Sequence, residues 1–297
     1  MSEEVWHHQK TKQAGFSVIE LMIATLLGII IIGGIIGVFL SSSNNYRLQS
    51  AISQVQEKGR FALRKMRIDI QKAGYYINPA EDQVAIELTD NGVSLGLAGA
   101  EDVLSIYSRH GSPASIHRTS YFLMRTASSS TTDLTWALYK NAVDDITDPL
   151  LVSPVIEQIV TGVARMEYRF AADLTSTAGM VSDQIKRSVD WIPLTDPDVG
   201  FSAYLTAVQL EALSDFIPAT ASAPSRAWNS VRAVQVELIV ASDENFVVDT
   251  PQTIDLPTPF VVAAQVALGS NGDARGLGED QYYQVYTTTY ALRNRVE

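Results

Sequence analysis

Cysteine is absent from this chain of 297 residues. No disulfide can staple it, no thiol can act as a nucleophile, and no zinc site can be built on sulfur. Packing alone must hold its globular part. Histidine is nearly as scarce, at four residues, and His7 and His8 sit near the start. The spacing of the other two, His110 and His117, suits neither one helix face nor a zinc motif. No glycine-rich phosphate loop or paired-histidine helix occurs. Asp144-Asp145 and Asp196-Pro197-Asp198 are paired acids, but aspartate collects in turns for conformational reasons. The expectation is a chain that is not an enzyme and needs no cofactor. Asn271, Asp273, Glu279 and Asp280 offer oxygen ligands of the type calcium takes. They lack the EF-hand spacing, and the plainer reading of residues 269–280 is a solvated loop, so no metal site is assigned.

Positive charge is in deficit. The chain has 22 Lys and Arg against 33 Asp and Glu, a net charge of −11. Nucleic acid is recognised by cations that displace its counterions, so it is not an expected partner. The acidity reads as a solubility feature.

Charge and proline are both missing from residues 21–40. A helix of that length is about 30 Å long, the hydrocarbon thickness of a bilayer. Glu20 stands at its edge, where a carboxylate costs on the order of 2.5–3.5 kcal/mol and calls for a partner. A cut after Gly15 would supply one. Phe16 would become the N-terminus, with its α-amine four residues before Glu20, and positions i and i+4 share a helix face. Gly33 and Gly37 have the small-xxx-small spacing that permits close helix packing in membranes. Lys10 and Lys12 precede the run and place the N-terminus in the cytoplasm by the positive-inside tendency.

From residue 44 to 73 the pattern turns amphipathic. Leu48, Ile52, Val55, Gly59, Ala62, Met66, Ile70 and Ala73 recur at threes and fours, one face of a 3.6-period helix. Arg47, Glu57, Lys58, Arg60, Arg64, Lys65, Arg67 and Lys72 mostly lie elsewhere. The apolar face should pack on a sheet. Gly74 should stop the helix and Pro79 prevent its restart, giving one helix over about residues 17–73, roughly 85 Å long.

Strand patterns follow. Residues 84–88 and 93–97, around Asn91-Gly92, predict a hairpin. Residues 102–107, 119–124, 134–139 and 163–170 predict further strands. Residues 171–229 read as an elaborated connection with a short helix over 206–216. Residues 231–241 alternate Val234, Val236, Leu238 and Val240 inward against Gln235 and Glu237 outward. Residues 258–268 and 282–292 are expected to pair as a closing hairpin, with Tyr286 and Tyr290 on one strand face.

Gly15-Phe16-Ser17-Val18-Ile19-Glu20-Leu21 resembles the type IV prepilin signal. Tyr46-Arg47-Leu48-Gln49, Gln56-Glu57-Lys58-Gly59-Arg60-Phe61-Ala62-Leu63 and Asp69-Ile70-Gln71-Lys72-Ala73-Gly74-Tyr75 are similar to the PilW family of minor pilins. So are Trp228-Asn229-Ser230-Val231-Arg232-Ala233-Val234 and Thr287-Thr288-Thr289-Tyr290-Ala291-Leu292-Arg293-Asn294-Arg295. The resemblance is strong over the first 75 and last 70 residues and weak between. Many relatives carry a cysteine shortly after the helix; here that place reads Tyr75-Tyr76-Ile77-Asn78.

The resemblance implies an α+β, pilin-like fold, a long N-terminal helix packed on an antiparallel β-sheet domain. Residues 1–15 would be a leader, 16–40 the transmembrane and assembly half of the helix, 41–74 its amphipathic half, and 75–297 a periplasmic β-rich domain. It implies that a prepilin peptidase cuts between Gly15 and Phe16, that Phe16 is then N-methylated, and that Glu20 offsets a neighbour's terminal charge. The expected partners are other minor pilins, the major pilin, the peptidase and an inner-membrane assembly platform. The expected location is the inner membrane, then the pilus on the cell surface. The function implied is pilus assembly in a priming or tip complex. Alternatives are a minor pseudopilin of a type II secretion system, a signal-anchored periplasmic protein and a tip adhesin.

Overall fold

The computed structural model describes residues 15–77, 84–97, 99–109, 115–125, 136–146, 155–172, 204–212, 227–243, 247–248, 253–254, 266–267 and 281–292. The chain divides into two compact units, Met1–Arg47 and Leu48–Glu297, and each is taken by itself.

Helix α1, Val18–Ile70, belongs to both units. In the first unit its described residues are exposed almost throughout. It is long and apolar enough to cross a membrane. Thr25 keeps its hydroxyl satisfied within the helix by donating to the Leu21 and Met22 carbonyls, at 3.0 and 2.9 Å.

In the second unit the expected apolar face is buried: Ala51, Val55, Gly59, Ala62, Met66 and Ile70. The helix ends as the glycine predicts. Gly74 adopts a positive φ of 75°, which a side chain would disfavour, and its N–H donates to the Tyr107 carbonyl at 2.9 Å.

Two antiparallel sheets make the rest of the core. The first has the order β1-β2-β3-β4-β5, a meander of neighbours: β1 Ile86–Asn91, β2 Glu101–Ser108, β3 His117–Arg125, β4 Trp136–Val143 and β5 Val155–Thr161. The second has the order β10-β7-β6, where β6 is Val163–Ala172, β7 Val231–Ala241 and β10 Tyr283–Ala291. A two-residue pair, β8 Thr253–Ile254 and β9 Val266–Ala267, stands apart. Gly162 alone separates β5 from β6, so it carries the chain from one sheet to the other. Its φ of 73° and the Ala241 carbonyl 2.9 Å from where a Cβ would stand suit only glycine. The α1 stripe, one face of the first sheet and one face of the second share a single apolar cluster, with Met66, Leu104, Leu138, Met166, Phe170 and Leu238 among its buried members. Burial at about 25 cal/mol per Å² makes this cluster the main source of stability in a chain without disulfides.

The α+β class is as expected; two local expectations, the strand over 93–97 and the outward Glu237, need correction, and one strand went unread. Residues 93–97 are not a strand. Val93–Leu95 forms one 3-10 turn, and Gly96 at φ 74° turns the chain so that Leu97 donates back to the Gly92 carbonyl at 2.8 Å. The partner of β1 is therefore β2, in register Ile86↔Ile106. β5 was not legible as a strand, because its first four residues are exposed and do not alternate. β10 pairs with β7, Tyr286 opposite Leu238; of residues 258–268, expected to pair with it, only Val266 and Ala267 are described, and they pair with β8. Glu237 is buried, not outward, since this face of β7 carries its own apolar cluster of Ala164, Ile239, Ala241 and Tyr283.

Helix α2, Ala207–Ala212, is the described part of the short helix expected over 206–216. A reciprocal capping box starts it: Gln209 N–H donates to Thr206 Oγ1 at 3.2 Å and Thr206 N–H to Gln209 Oε1 at 3.0 Å. His110, Asp196, Asp198 and the 269–280 loop lie outside the described residues.

Candidate assembly site

The start of α1 is built by four residues. Ser17 is its N-cap, and its carbonyl accepts the first helical bond, from Leu21 N–H at 3.1 Å. The Ser17 hydroxyl accepts from Ile19 N–H at 3.4 Å, and the Glu20 carboxylate accepts from Ser17 N–H at 3.2 Å. Ser-x-x-Glu is the capping-box spacing, which satisfies amides that a helix start otherwise leaves without partners. An acid in the first turn also suits the helix dipole. Sequence reasoning gave Glu20 a charge to neutralise; the capping role is an addition that the Ser17-x-x-Glu20 spacing already contained. Phe16, just before the cap, is 88% exposed, and among the described residues no atom approaches within 4 Å of where a Cβ on Gly15 would stand. Gly15 is exposed as well.

In the second unit, α1 is locked to the sheets by polar contacts as well as packing. Tyr286 and Tyr290 lie on one face of β10, as expected, and both reach the helix backbone. Their hydroxyls donate to the Val55 and Leu63 carbonyls at 3.0 and 2.8 Å. Burial pushes each phenol up to about 12. Gly59 forms a notch for the Tyr286 ring, which occupies the space a side chain would need. Further along, the Asp69 carboxylate accepts from Tyr121 of β3 and from Lys140 of β4, each at 2.7 Å. Lys72 stands 4.0 Å from its other oxygen. Burial and the Asp69 charge hold the Tyr121 phenol well above its usual range.

Of the expected acidic and histidine candidates, His117 and Asp144 come within 3.8 Å of each other near the surface. Among the described residues no cluster of three or more His, Asp or Glu could hold a metal ion. These described polar groups of the unit fasten helix to sheet.

The family model of type IV pilus-assembly protein W matches residues 121–294, more than half of the chain. The chain belongs to the PilW family. The matched span runs from β3 to just past β10. It includes the late motifs around Trp228 and Tyr290, and also the middle that motif reading found weak. Among solved structures, the chain is similar to a type IV-like pilin from Thermus thermophilus. That likeness has 9% identity and a TM-score of 0.39, covering 82% of this chain and 100% of that one. It is too loose to carry an argument. No curated protein matches. Membership in PilW gives the chain a part in the type IV pilus, together with other pilus components, and the exposed apolar half of α1 fits a single-pass membrane anchor.

Proposed function

We propose that this PilW-family chain is a minor pilin that enters the pilus through its N-terminal helix. A prepilin peptidase removes residues 1–15, Phe16 is N-methylated, and Glu20 then serves both as the helix cap and as the counter-charge for an N-terminal amine. The observation that carries this reading is the start of α1. A capped helix end, the exposed residues Gly15 and Phe16 and an apolar span without a charge follow one another with no intervening residue. Before assembly the leader lies in the cytoplasm and the second unit in the periplasm, with the span in the inner membrane. After assembly the chain joins other minor pilins in a priming or tip complex next to the major pilin. Its role is structural; the peptidase and the assembly platform supply the chemistry and the force.

The test is intact mass and N-terminal sequencing of the chain from its native membrane. The expected chain starts at methylated Phe16. A chain that keeps residues 1–15 beside an active prepilin peptidase overturns the reading. Partners that co-purify separate a pilus from a secretion pseudopilus.

A further inference from the structure

The two larger sheets leave four outer edges, and three of them carry a guard. β1 holds Glu87 and Asp90, and β5 follows Pro154 and holds Glu157. Phe170 of β6 exchanges both its backbone bonds with Leu205, at 2.8 Å each. Charge, proline and a covering segment are the devices that keep sheet edges from pairing. β10 has none of them. Among the described residues it has a strand neighbour only on its β7 side, and residues 281–292 hold no charge, proline or glycine.

The ladder shows which backbone groups of β10 face outward. Ser242 N–H donates to the Tyr282 carbonyl and Leu292 N–H to the Arg232 carbonyl, both at 2.8 Å. Bonded and non-bonded residues alternate along an antiparallel pair. Gln284, Tyr286, Thr288 and Tyr290 therefore bond to β7, while Val285, Thr287, Thr289 and Ala291 turn their N–H and C=O groups to the open edge. Thr287, Thr289 and Ala291 are exposed as well. On the other face Tyr286 and Tyr290 tie the strand to α1, so the edge is anchored from behind and open in front.

We propose that this edge, Val285 to Ala291, accepts an uncharged extended segment of a different pilus subunit as an added strand. Backbone groups presented at every second residue suit an extended chain, which offers the same groups at the same spacing. The side chains beside them, Val285, Thr287, Thr289 and Ala291, supply no counter-charge, so a charged residue set against them would lose water without compensation. β-branched residues opposite Val and Thr make favourable cross-strand pairs. The direction of the strand argues against a second copy. Tyr286 reaches Val55 and Tyr290 reaches Leu63, so β10 runs the same way as α1. Two copies joined antiparallel through β10 would point their α1 helices in opposite directions, and the apolar spans that lead into them would leave at opposite ends, where one membrane cannot hold both. In a parallel pair a residue that faces the partner stands beside one that faces away. Two copies would then be offset by an odd number of residues, which a two-fold axis does not permit.

The identity of the partner as a pilus subunit rests on the reading above; the added strand itself does not depend on leader removal. In the native host, the full chain carries photoreactive p-benzoylphenylalanine in place of Thr289. The expected product is an adduct with another pilus subunit, at a segment without charge. Thr287→Pro deletes an outward N–H and leaves the bonds to β7 in place, and Thr287→Lys sets a charge on the edge. Each should lower the yield at least tenfold at an unchanged melting temperature, and the lysine variant decides if proline lowers that temperature. Thr287→Val keeps backbone and branching and should retain the adduct. An adduct to a second copy, to the same chain, to lipid or to a charged segment, no adduct, one that survives both substitutions, or one that Thr287→Val also abolishes overturns the added strand. If the adduct forms with a protein outside any pilus and the N-terminus is uncut, the pilus reading fails while the added strand stands.

Discussion

The ring of Tyr286 occupies the space that a side chain on Gly59 would need, with Cδ2 2.6 Å from the position of a Cβ there. The same tyrosine donates its hydroxyl to the Val55 carbonyl, one turn earlier on the helix. Notch and hydrogen bond together fix the height of β10 along α1. Gly59→Ala gains helix propensity, worth about 1 kcal/mol. It must also push aside a half-buried ring, and overpacking costs about 1–3 kcal/mol. The variant should be less stable in urea titration of the full chain in detergent. In a Tyr286→Ala background the same change should become neutral or stabilising. Equal effects in both backgrounds would mean that the two residues do not couple.

Alkaline pH should weaken the same junction. Tyr286 and Tyr290 have folded pKa values near 12, above the ordinary value of about 10. The folded state therefore holds the phenol protons more tightly. Their contribution is complete below about pH 10 and is lost as pH rises toward 12. Urea midpoints should fall over that window. Tyr286→Phe/Tyr290→Phe should start lower at pH 8, by about 0.5–1.5 kcal/mol per lost hydrogen bond, and fall less steeply. An unchanged slope would assign the alkaline loss to Tyr107, Tyr121 and Tyr168, whose phenols are also held up by burial.

Periodicity exposed α1 because a long helix repeats its signal. The stripe from Val55 to Ile70 and the stop at Gly74 were legible, and so was the strand 231–241. The first sheet was harder, because β5 has exposed residues where alternation should show and residues 92–97 make a tight turn from apolar letters. The pairing of β10 with β7 was not legible at all, since it is made by contacts far apart in sequence. Of the candidate site, Gly15, Phe16 and Glu20 could be read locally. The Gly59–Tyr286 notch could not, because its partners are more than two hundred residues apart.

Asp69 joins α1 to two neighbouring strands through Tyr121 and Lys140. Its side chain is largely buried, so each lost contact leaves a polar group in a poor solvent. Breaking a buried pair from one side costs about 3–5 kcal/mol, and the partial exposure of Lys140 puts Asp69→Ala toward the lower end. Asp69→Asn should cost less, because it keeps an acceptor for Tyr121. A double-mutant cycle with Lys140→Met should give a coupling of at least about 1 kcal/mol. Additivity in that cycle would show that the ion pair holds nothing together.

Glu237 makes the opposite kind of prediction. It lies across from Glu167 on β6, has no accessible surface, and neither carboxylate oxygen has a hydrogen bond among the described residues. Burial raises its pKa, against the pull of Arg165 and Arg169. A raised carboxyl pKa means proton uptake on folding, so this group's contribution falls as pH rises from about 4.5 through the folded value. Glu237→Gln keeps the shape and removes the charge. It should raise stability at pH 7 by about 0.5–2 kcal/mol, the common size of a stabilising substitution, and flatten the loss as pH rises above about 4.5. A loss of stability at pH 7 would show that the two arginines outweigh burial.

At Glu20 two roles can be pulled apart. As the third residue of a capping box it needs only an acceptor, and glutamine serves as well as glutamate there. As a counter-charge for a terminal amine it needs the negative charge. Glu20→Gln should therefore keep the helix start, whereas Glu20→Ala removes cap and charge together. Both variants should remain membrane-bound, because the span that follows is untouched. If the charge is what assembly uses, both should be depleted from sheared filaments to a similar degree. Normal incorporation of Glu20→Gln with depletion of Glu20→Ala would reduce Glu20 to a helix cap. Normal incorporation of both would remove it from the assembly site.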